Sequence, residues 1–156
     1  MPTIDALRSC DVFSELSDDE LEKILPFCRE ESYEKDGIMF REGDEADTFY
    51  ILQEGQISIQ YVICPQPDYC QDARILLDQP GDFMGWSSLV KPGRMTASGY
   101  CLSDVRLLAI DSKKLKNLIE QDSHMGFVIM KELAGSINKR LREAKGLTFQ
   151  RIMGSL

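Results

Sequence analysis

Histidine and tryptophan each occur once in the 156 residues, as His124 and Trp86. Imidazole-rich metal centres, such as those of the cupin enzymes, take several histidines with a carboxylate, so one histidine argues against that class. His124 reads as a surface or capping residue at a helix start. No nucleophile stands in an evident pairing with a base, so catalysis is not expected. The five cysteines, Cys10, Cys28, Cys64, Cys70 and Cys101, are odd in number and scattered, and no C-x-x-C pair occurs. That spacing speaks against a zinc site, a haem or iron–sulfur centre and a disulfide framework, and the expectation is free thiols in a reducing compartment. Cys64 and Cys70 flank a hairpin and are the one pair placed for a redox switch, a reading disfavoured because no adjacent basic residue would lower a thiol pKa. No apolar run approaches the length that spans a bilayer. The opening "MPTIDALRSC" has neither the basic nor the apolar region of a secretory signal. A cytoplasmic protein with no membrane association is therefore expected. Positive charge is also scarce: 18 Lys and Arg against 26 Asp and Glu give a net charge of -8. Nonspecific nucleic-acid binding rests on cationic side chains and is not expected of such a chain. Internal repeats and low-complexity segments are absent too.

What the chain does contain is organised in three parts. "ELSDDELEKILPFC" begins a helix, with Ser17 as N-cap and Glu20 as the reciprocal partner of a capping box. The acidic run Asp18-Asp19-Glu20 suits the helix dipole, and Pro26 limits the helix length. Phe13 and Leu16 precede the cap as a staple. From about residue 31 to 110 short β-rich runs alternate with recurring glycines. "GIMF" places Ile38 and Phe40 on one face. "QISIQYVI" does the same for Ile57, Ile59, Tyr61 and Ile63, and "DTFYIL", "ARILLD" and "VRLLAI" are further strands. "CPQPDYCQD" reads as a long hairpin connection. Many short strands with glycine turns indicate a sandwich, barrel or jelly roll. From about residue 111 to 150 the pattern is helical. Asp111 or Ser112 caps one helix with Leu115, Leu118 and Ile119 on its face. A longer helix from about His124 carries Met130, Ala134, Ile137, Leu141 and Ala144 near heptad spacing, which suits either packing against the β part or pairing with a second copy.

The order of these motifs resembles the cyclic nucleotide-binding domain, and most of all the sensor half of the Crp/Fnr regulators. The likeness is carried by "VFSELSDDELEKI", "GIMFREGDEADTFYILQEGQISI", "PGDFMGWSSL", "GRMTAS" and "LLAIDSKKLKNLI", and covers roughly Asp11 to Arg142. It implies a mainly β, α+β chain: a double-stranded, jelly-roll-like β-roll with a short N-terminal helix and a long, dimerising C-terminal helix. It implies one such domain over residues 1–156. The helix-turn-helix of full-length regulators has no counterpart, because "GLTFQRIMGSL" is too short for a DNA-reading motif, so no DNA binding by this chain alone is expected.

The resemblance also makes residues 81–97 a phosphate-binding cassette. Arg94 then takes the place of the arginine that grips the cyclic phosphate, a task suited to a planar, permanently charged fork. Met95 and Thr96 would offer backbone amides, Thr96 also a hydroxyl, and Gly85 would allow close backbone approach. Ser87 and Ser88 would either donate to a phosphate or satisfy the turn. The sequence departs from the family where a glutamate normally takes the ribose hydroxyl: that position is Trp86, an indole with a donor but no acceptor, which would either stack on a base or aromatic ligand or fill the pocket. The family's adenine-contacting Thr-Ser pair falls at about Ala144 and Lys145. Two expectations follow. One is a non-catalytic sensor that binds a small anion, cAMP or another nucleotide among them, and signals through its C-terminal helix. The other is a module whose pocket Trp86 plugs, left with dimerisation or protein interaction.

Overall fold

The computed structural model describes residues 1–154, without the side chains of 147–152. The described residues contain eight strands and four α-helices. Helix α1 (Ile4–Arg8) and helix α2 (Asp18–Ile24) come first, joined through a 3-10 turn at Asp11–Phe13. The capping box forms as expected: the Ser17 hydroxyl accepts from the Glu20 amide, and the Glu20 carboxylate accepts from the Ser17 amide. Pro26 ends α2 by opening a second 3-10 turn, Leu25–Phe27, where its missing N–H costs nothing.

The strands are β1 (Cys28–Tyr33), β2 (Ile38–Phe40), β3 (Thr48–Glu54), β4 (Ile57–Gln66), β5 (Tyr69–Leu77), β6 (Phe83–Met84), β7 (Ser98–Cys101) and β8 (Val105–Asp111). They make two four-stranded antiparallel sheets, ordered β1-β8-β3-β6 and β2-β7-β4-β5. This is the expected mainly β roll with flanking helices. The strand region begins earlier than the sequence suggests, because polar β1 pairs with β8 from Cys28 to Tyr33 although it lacks an apolar alternation.

Strand β3 explains the layering. "TFYIL" is buried throughout, because both faces of its sheet are covered. Phe49 and Ile51, with Leu108 and Ile110 of β8, face the helices and join Leu7, Phe13, Leu21 and Ile24. Tyr50 and Leu52, with Leu107 and Ala109, face the second sheet and join Ile57, Ile59 and Ile75. Alternation along a strand thus feeds two separate apolar clusters.

One strand expectation is corrected. Ile38 and Phe40 do not share a face: the register of β2 against β7 shifts between them, leaving Ile38 exposed and Phe40 buried. In β4, Ile57 and Ile59 are buried but Ile63 is exposed, because the β4–β5 hairpin runs on past the second sheet's neighbours.

Helix α3 (Ser112–Gln121) is capped by Asp111, whose carboxylate accepts from the Lys114 amide at 3.1 Å. Helix α4 runs from Ser123 to Gly154. It lies over the Asp11–Phe13 turn and α3, burying Met125, Ile129 and Leu133 with Met130 and Ile137 partly covered. The apolar spacing therefore serves the domain's own core through Ile137, while Ala134 and Leu141 face outward. The stretch "GLTFQRIMGSL" continues α4 as far as Gly154, and residues 155–156 lie outside the described residues. Among the described residues no helix is long and apolar enough to cross a membrane, and no group of His, Cys, Asp and Glu could hold a metal ion.

The expectation of five free thiols is also corrected. Cys64 and Cys70 form a disulfide across the β4–β5 hairpin. The register Ile63↔Gln71 places the next pair, Cys64 and Cys70, opposite each other with Cα atoms 4.1 Å apart, within the reach that cross-strand neighbours allow. Linear spacing hid this because pairing depends on where the hairpin turns. The other three cysteines are free. Burial pushes the Cys10 and Cys28 thiols up to about 12, and it raises Cys101 as well. Raised thiol pKa values mean that the folded state holds these protons while the unfolded chain sheds them, so their contribution to stability is present below about pH 8.5 and lost as pH climbs toward 12. Titration with a thiol reagent at pH 8 checks this: negligible reaction in the native protein, three equivalents after denaturation and five after reduction.

Candidate functional site

The segment that carries the motif "PGDFMGWSSL" leaves the edge of the first sheet. β6 pairs with β3 through Met84 and Phe83 and ends there. Gly85 follows in the left-handed region, with φ 83°. A side chain at that point would bring its Cβ to 2.4 Å from the Thr48 carbonyl oxygen. The close approach that requires glycine is therefore to strand β3. The chain then makes a 3-10 turn, Trp86–Leu89. Ser88 is buried within it. Its hydroxyl donates to the Gly85 carbonyl at 2.6 Å and shares a hydrogen bond with Ser112 at the start of α3.

Beyond the turn, Gly93 to Met95 is bound to the β2–β3 connection. The Ala46 amide donates to Gly93, the Met95 amide to Asp44 and the Gly43 amide to Met95, each at 2.8 Å. Arg94 is exposed on this lip, and its guanidinium donates to the Gly43 carbonyl at 3.3 Å.

Of the seven residues expected to bind a ligand, Gly85, Trp86, Ser87, Met95 and Thr96 line one pocket. Its remaining walls are Phe40, Ile59, Tyr61, Met84, Ala97 and Arg140. Ser88 lies behind the wall and serves the turn. Arg94 stands outside the lining in this conformation, and the Met95 amide is occupied by Asp44. Thr96 is exposed at the lip, whereas Ser87 is buried. The cavity is ≈ 20 Å³, room for about one ordered water. It opens at the junction of the two apolar clusters: Trp86 packs against the helix-side cluster, while Phe40, Ile59, Met84 and Met95 belong to the one between the sheets.

Arg140, which the sequence did not single out, is the most unusual residue here. It reaches in from α4 and donates from Nη2 to the Phe83 carbonyl at 2.9 Å. Its guanidinium carbon lies 4.6 Å from the centre of the Trp86 ring and 5.1 Å from that of Phe83, a cation–π arrangement with both. Its Nη1 is buried without a hydrogen bond of ordinary geometry, although the Tyr61 hydroxyl is near enough to interact with the guanidinium. Burial pulls the guanidinium pKa down, opposed by the nearby Tyr61, Asp82 and Glu143. It still carries its charge at neutral pH. The same neighbourhood raises the Tyr61 pKa through burial, with Arg140 acting in the opposite sense. One signal in the sequence could have exposed Arg140. It falls seven residues after Leu133 and three after Ile137, inside the apolar stripe of α4, where an unpaired charge needs a reason.

The site is thus a small pocket at the glycine-rich cassette of a β-roll, bordered by an arginine from a flanking helix whose Nη1 is buried. The chain belongs to the cyclic nucleotide-binding domain family, whose model matches residues 30–122. Among curated proteins it is similar to a cGMP-dependent protein kinase, isozyme 2 forms cD5/T2, of Drosophila melanogaster, with 32% identity over 117 residues. That match covers 74% of this chain and 12% of the kinase. Among solved structures it is similar to a Geobacter metallireducens GS-15 protein described as a cyclic nucleotide-binding protein. Their identity is 28% and the TM-score 0.75, covering 90% of this chain and 99% of that one. The regulatory domain of Toxoplasma gondii PKA, crystallised with cAMP, shares the fold at TM-score 0.71 and 20% identity, over 87% of this chain and 48% of that one.

Gly85 tests the local geometry. Gly85→Ala combines a positive φ with a Cβ pressed against a backbone carbonyl. It should lower stability by about 2–4 kcal/mol. The effect is read as a lower urea midpoint at unchanged m-value.

Proposed function

We propose that this chain is a non-catalytic sensing module that binds a small anionic ligand in the cassette pocket and signals through α4. The observation that supports it most is the Nη1 of Arg140, buried without a hydrogen bond of ordinary geometry beside Gly85, Trp86, Ser87, Met95 and Thr96. A buried donor so poorly satisfied costs free energy that an anionic ligand would recover. Arg94, one residue from the pocket-lining Met95, is the second cation within reach. It is held by one long hydrogen bond to Gly43, so turning it inward costs little. The Toxoplasma structure holds cAMP in the same fold, which makes cyclic nucleotides the first ligands to try.

The link to α4 follows from Arg140 as well. The helix and the pocket wall share this side chain, so a ligand that engages it has different interaction energy with two positions of α4, the condition for any ligand to shift a conformational equilibrium. Calorimetry with cAMP and cGMP on the wild type and on Arg94→Ala is the direct test. Binding should weaken about tenfold to a hundredfold in the variant, the value of one charge-assisted hydrogen bond. Equal affinity in both proteins would remove Arg94 from the site.

A second reading is supported by the small cavity. At ≈ 20 Å³ it does not admit a nucleotide unless Trp86 or its neighbours move. In this reading Trp86 is a plug and the module serves assembly. The emission of this single tryptophan separates the two. A shift on adding any anionic ligand supports sensing, and invariance across cyclic nucleotides and other anions supports the plug. Trp86→Glu should raise cAMP affinity in the sensing reading and leave binding undetectable in the other.

Both readings extend to a homodimer through the second half of α4, where Leu141 is exposed. Sedimentation of the wild type at tens of micromolar should give a dimer, and Leu141→Glu should give a monomer. A monomeric wild type would remove the homodimer.

A further inference from the structure

The bond between Cys64 and Cys70 closes the part of the roll that little else holds. Strand β7 pairs with β4 only from Ile57 to Gln60. From Tyr61 onward β4 pairs with β5 alone among the described strands, and β5 is the edge of its sheet. Residues 62–72 are exposed throughout. This stretch is a two-stranded ribbon without a core, an arrangement that is marginal in water. Its ladder also breaks beside the disulfide. Ile63 faces Gln71 and Gln66 faces Tyr69, so β4 carries one residue more than β5 between these pairs. Pro65 stands in that bulge and Pro67 in the turn, and neither has an amide to donate. The tip is short of ladder hydrogen bonds, and the covalent bridge closes it. Both cysteines are exposed, within reach of a reagent in solution.

The ribbon ends at the cassette pocket. The first pair below it is Tyr61 with Ala73. Ala73 is buried, and Tyr61 lines the pocket with Trp86 and Arg140. The Tyr61 hydroxyl is near enough to interact with the guanidinium, which in turn lies against the Trp86 ring. Tyr61 is the first residue of β4 beyond the β7 ladder and stands three residues from Cys64. Its place in the wall therefore depends on how firmly the ribbon is closed.

We propose that the Cys64–Cys70 bond is a reversible redox clamp on the pocket wall: closed, it fixes the hairpin and Tyr61, and reduced by a dithiol it releases both. A thiolate of the reductant attacks one of the two sulfurs. The Cys64–Cys70 bond breaks, a mixed disulfide forms, and the released cysteine takes up a proton. The reductant's second thiolate then attacks the mixed disulfide, the reductant leaves as its own disulfide, and the other cysteine takes up a proton. Two electrons pass from the dithiol to the cysteine pair, and a disulfide oxidant such as oxidised glutathione reverses the exchange. The attacking thiolate belongs to the reductant, so reduction does not need a basic residue beside Cys64 or Cys70. Cys10, Cys28 and Cys101 are withdrawn from solvent to differing degrees with raised thiol pKa values, which keeps them out of the exchange. The clamp goes beyond the sensing reading and does not rest on it.

The test treats the full chain with dithiothreitol under native conditions. Alkylation with iodoacetamide and peptide mapping should find Cys64 and Cys70 modified only after reduction, and Cys10, Cys28 and Cys101 unmodified throughout. Amide exchange over residues 62–72 should become about tenfold or more faster in the reduced protein, and Trp86 emission should shift. Oxidised glutathione should restore both. The double variant Cys64→Ser/Cys70→Ser should match the reduced wild type in exchange and emission and show no response to the dithiol. A bond that the dithiol opens only after denaturation would overturn the clamp. So would reduction that leaves either the exchange over 62–72 or the Trp86 emission unchanged. These measurements use no ligand, so their failure leaves the sensing reading standing, and a failure to bind ligand leaves the clamp standing.

Discussion

A single guanidinium holds the long helix to the cassette, and the pocket takes its form from that contact. Arg140 donates to the Phe83 carbonyl and lies against the rings of Phe83 and Trp86. Moving a cation out of water is expensive, and two aromatic faces with one carbonyl compensate only part of its five-donor capacity. The same contact makes helix position and pocket state one variable, because the side chain that borders the cavity is anchored in α4.

The resemblance to the cyclic nucleotide-binding family is matched by the family model and by the β-roll fold. The glycine-rich cassette leaves the sheet edge where the motif order implies, and five of the seven expected residues line one cavity. The differences are matters of side-chain direction and of hydrogen-bond allocation. Ser88 turns inward to bind Gly85 and Ser112, since a tight 3-10 turn next to a helix start has its own donors and acceptors to satisfy. The Met95 amide belongs to Asp44 because the lip is pinned to the β2–β3 connection.

Local signals in the sequence were the most legible. The Ser17–Glu20 capping box, the Asp111 cap and the alternation of Ile57 and Ile59 all describe interactions within a few residues of each other, and chemistry fixes them with little help from the rest of the chain. Long-range partners were not legible. β1 has no apolar alternation because it is a polar sheet edge whose hydrogen bonds go to β8. The Cys64–Cys70 bridge depends on hairpin register. Arg140 read as one more charged residue on a helix. Only its place within the apolar stripe, three to eleven residues beyond Ile137, Leu133 and Ile129, marked it as a residue turned toward the roll.

The two apolar clusters on either side of the β1-β8-β3-β6 sheet have a mechanical consequence. The sheet acts as a bulkhead between a helix compartment and a roll compartment. Close-packed interiors resist continuous deformation, so a helix shift that had to repack both compartments would be prohibitive. A helix shift confined to one side would leave the barrel interior as it is. The cassette lies off β6, the free edge of that bulkhead, where the two compartments meet. Under the proposed sensing function, a small molecule bound there would touch both at once, moving the helix layer without disturbing the roll that holds it.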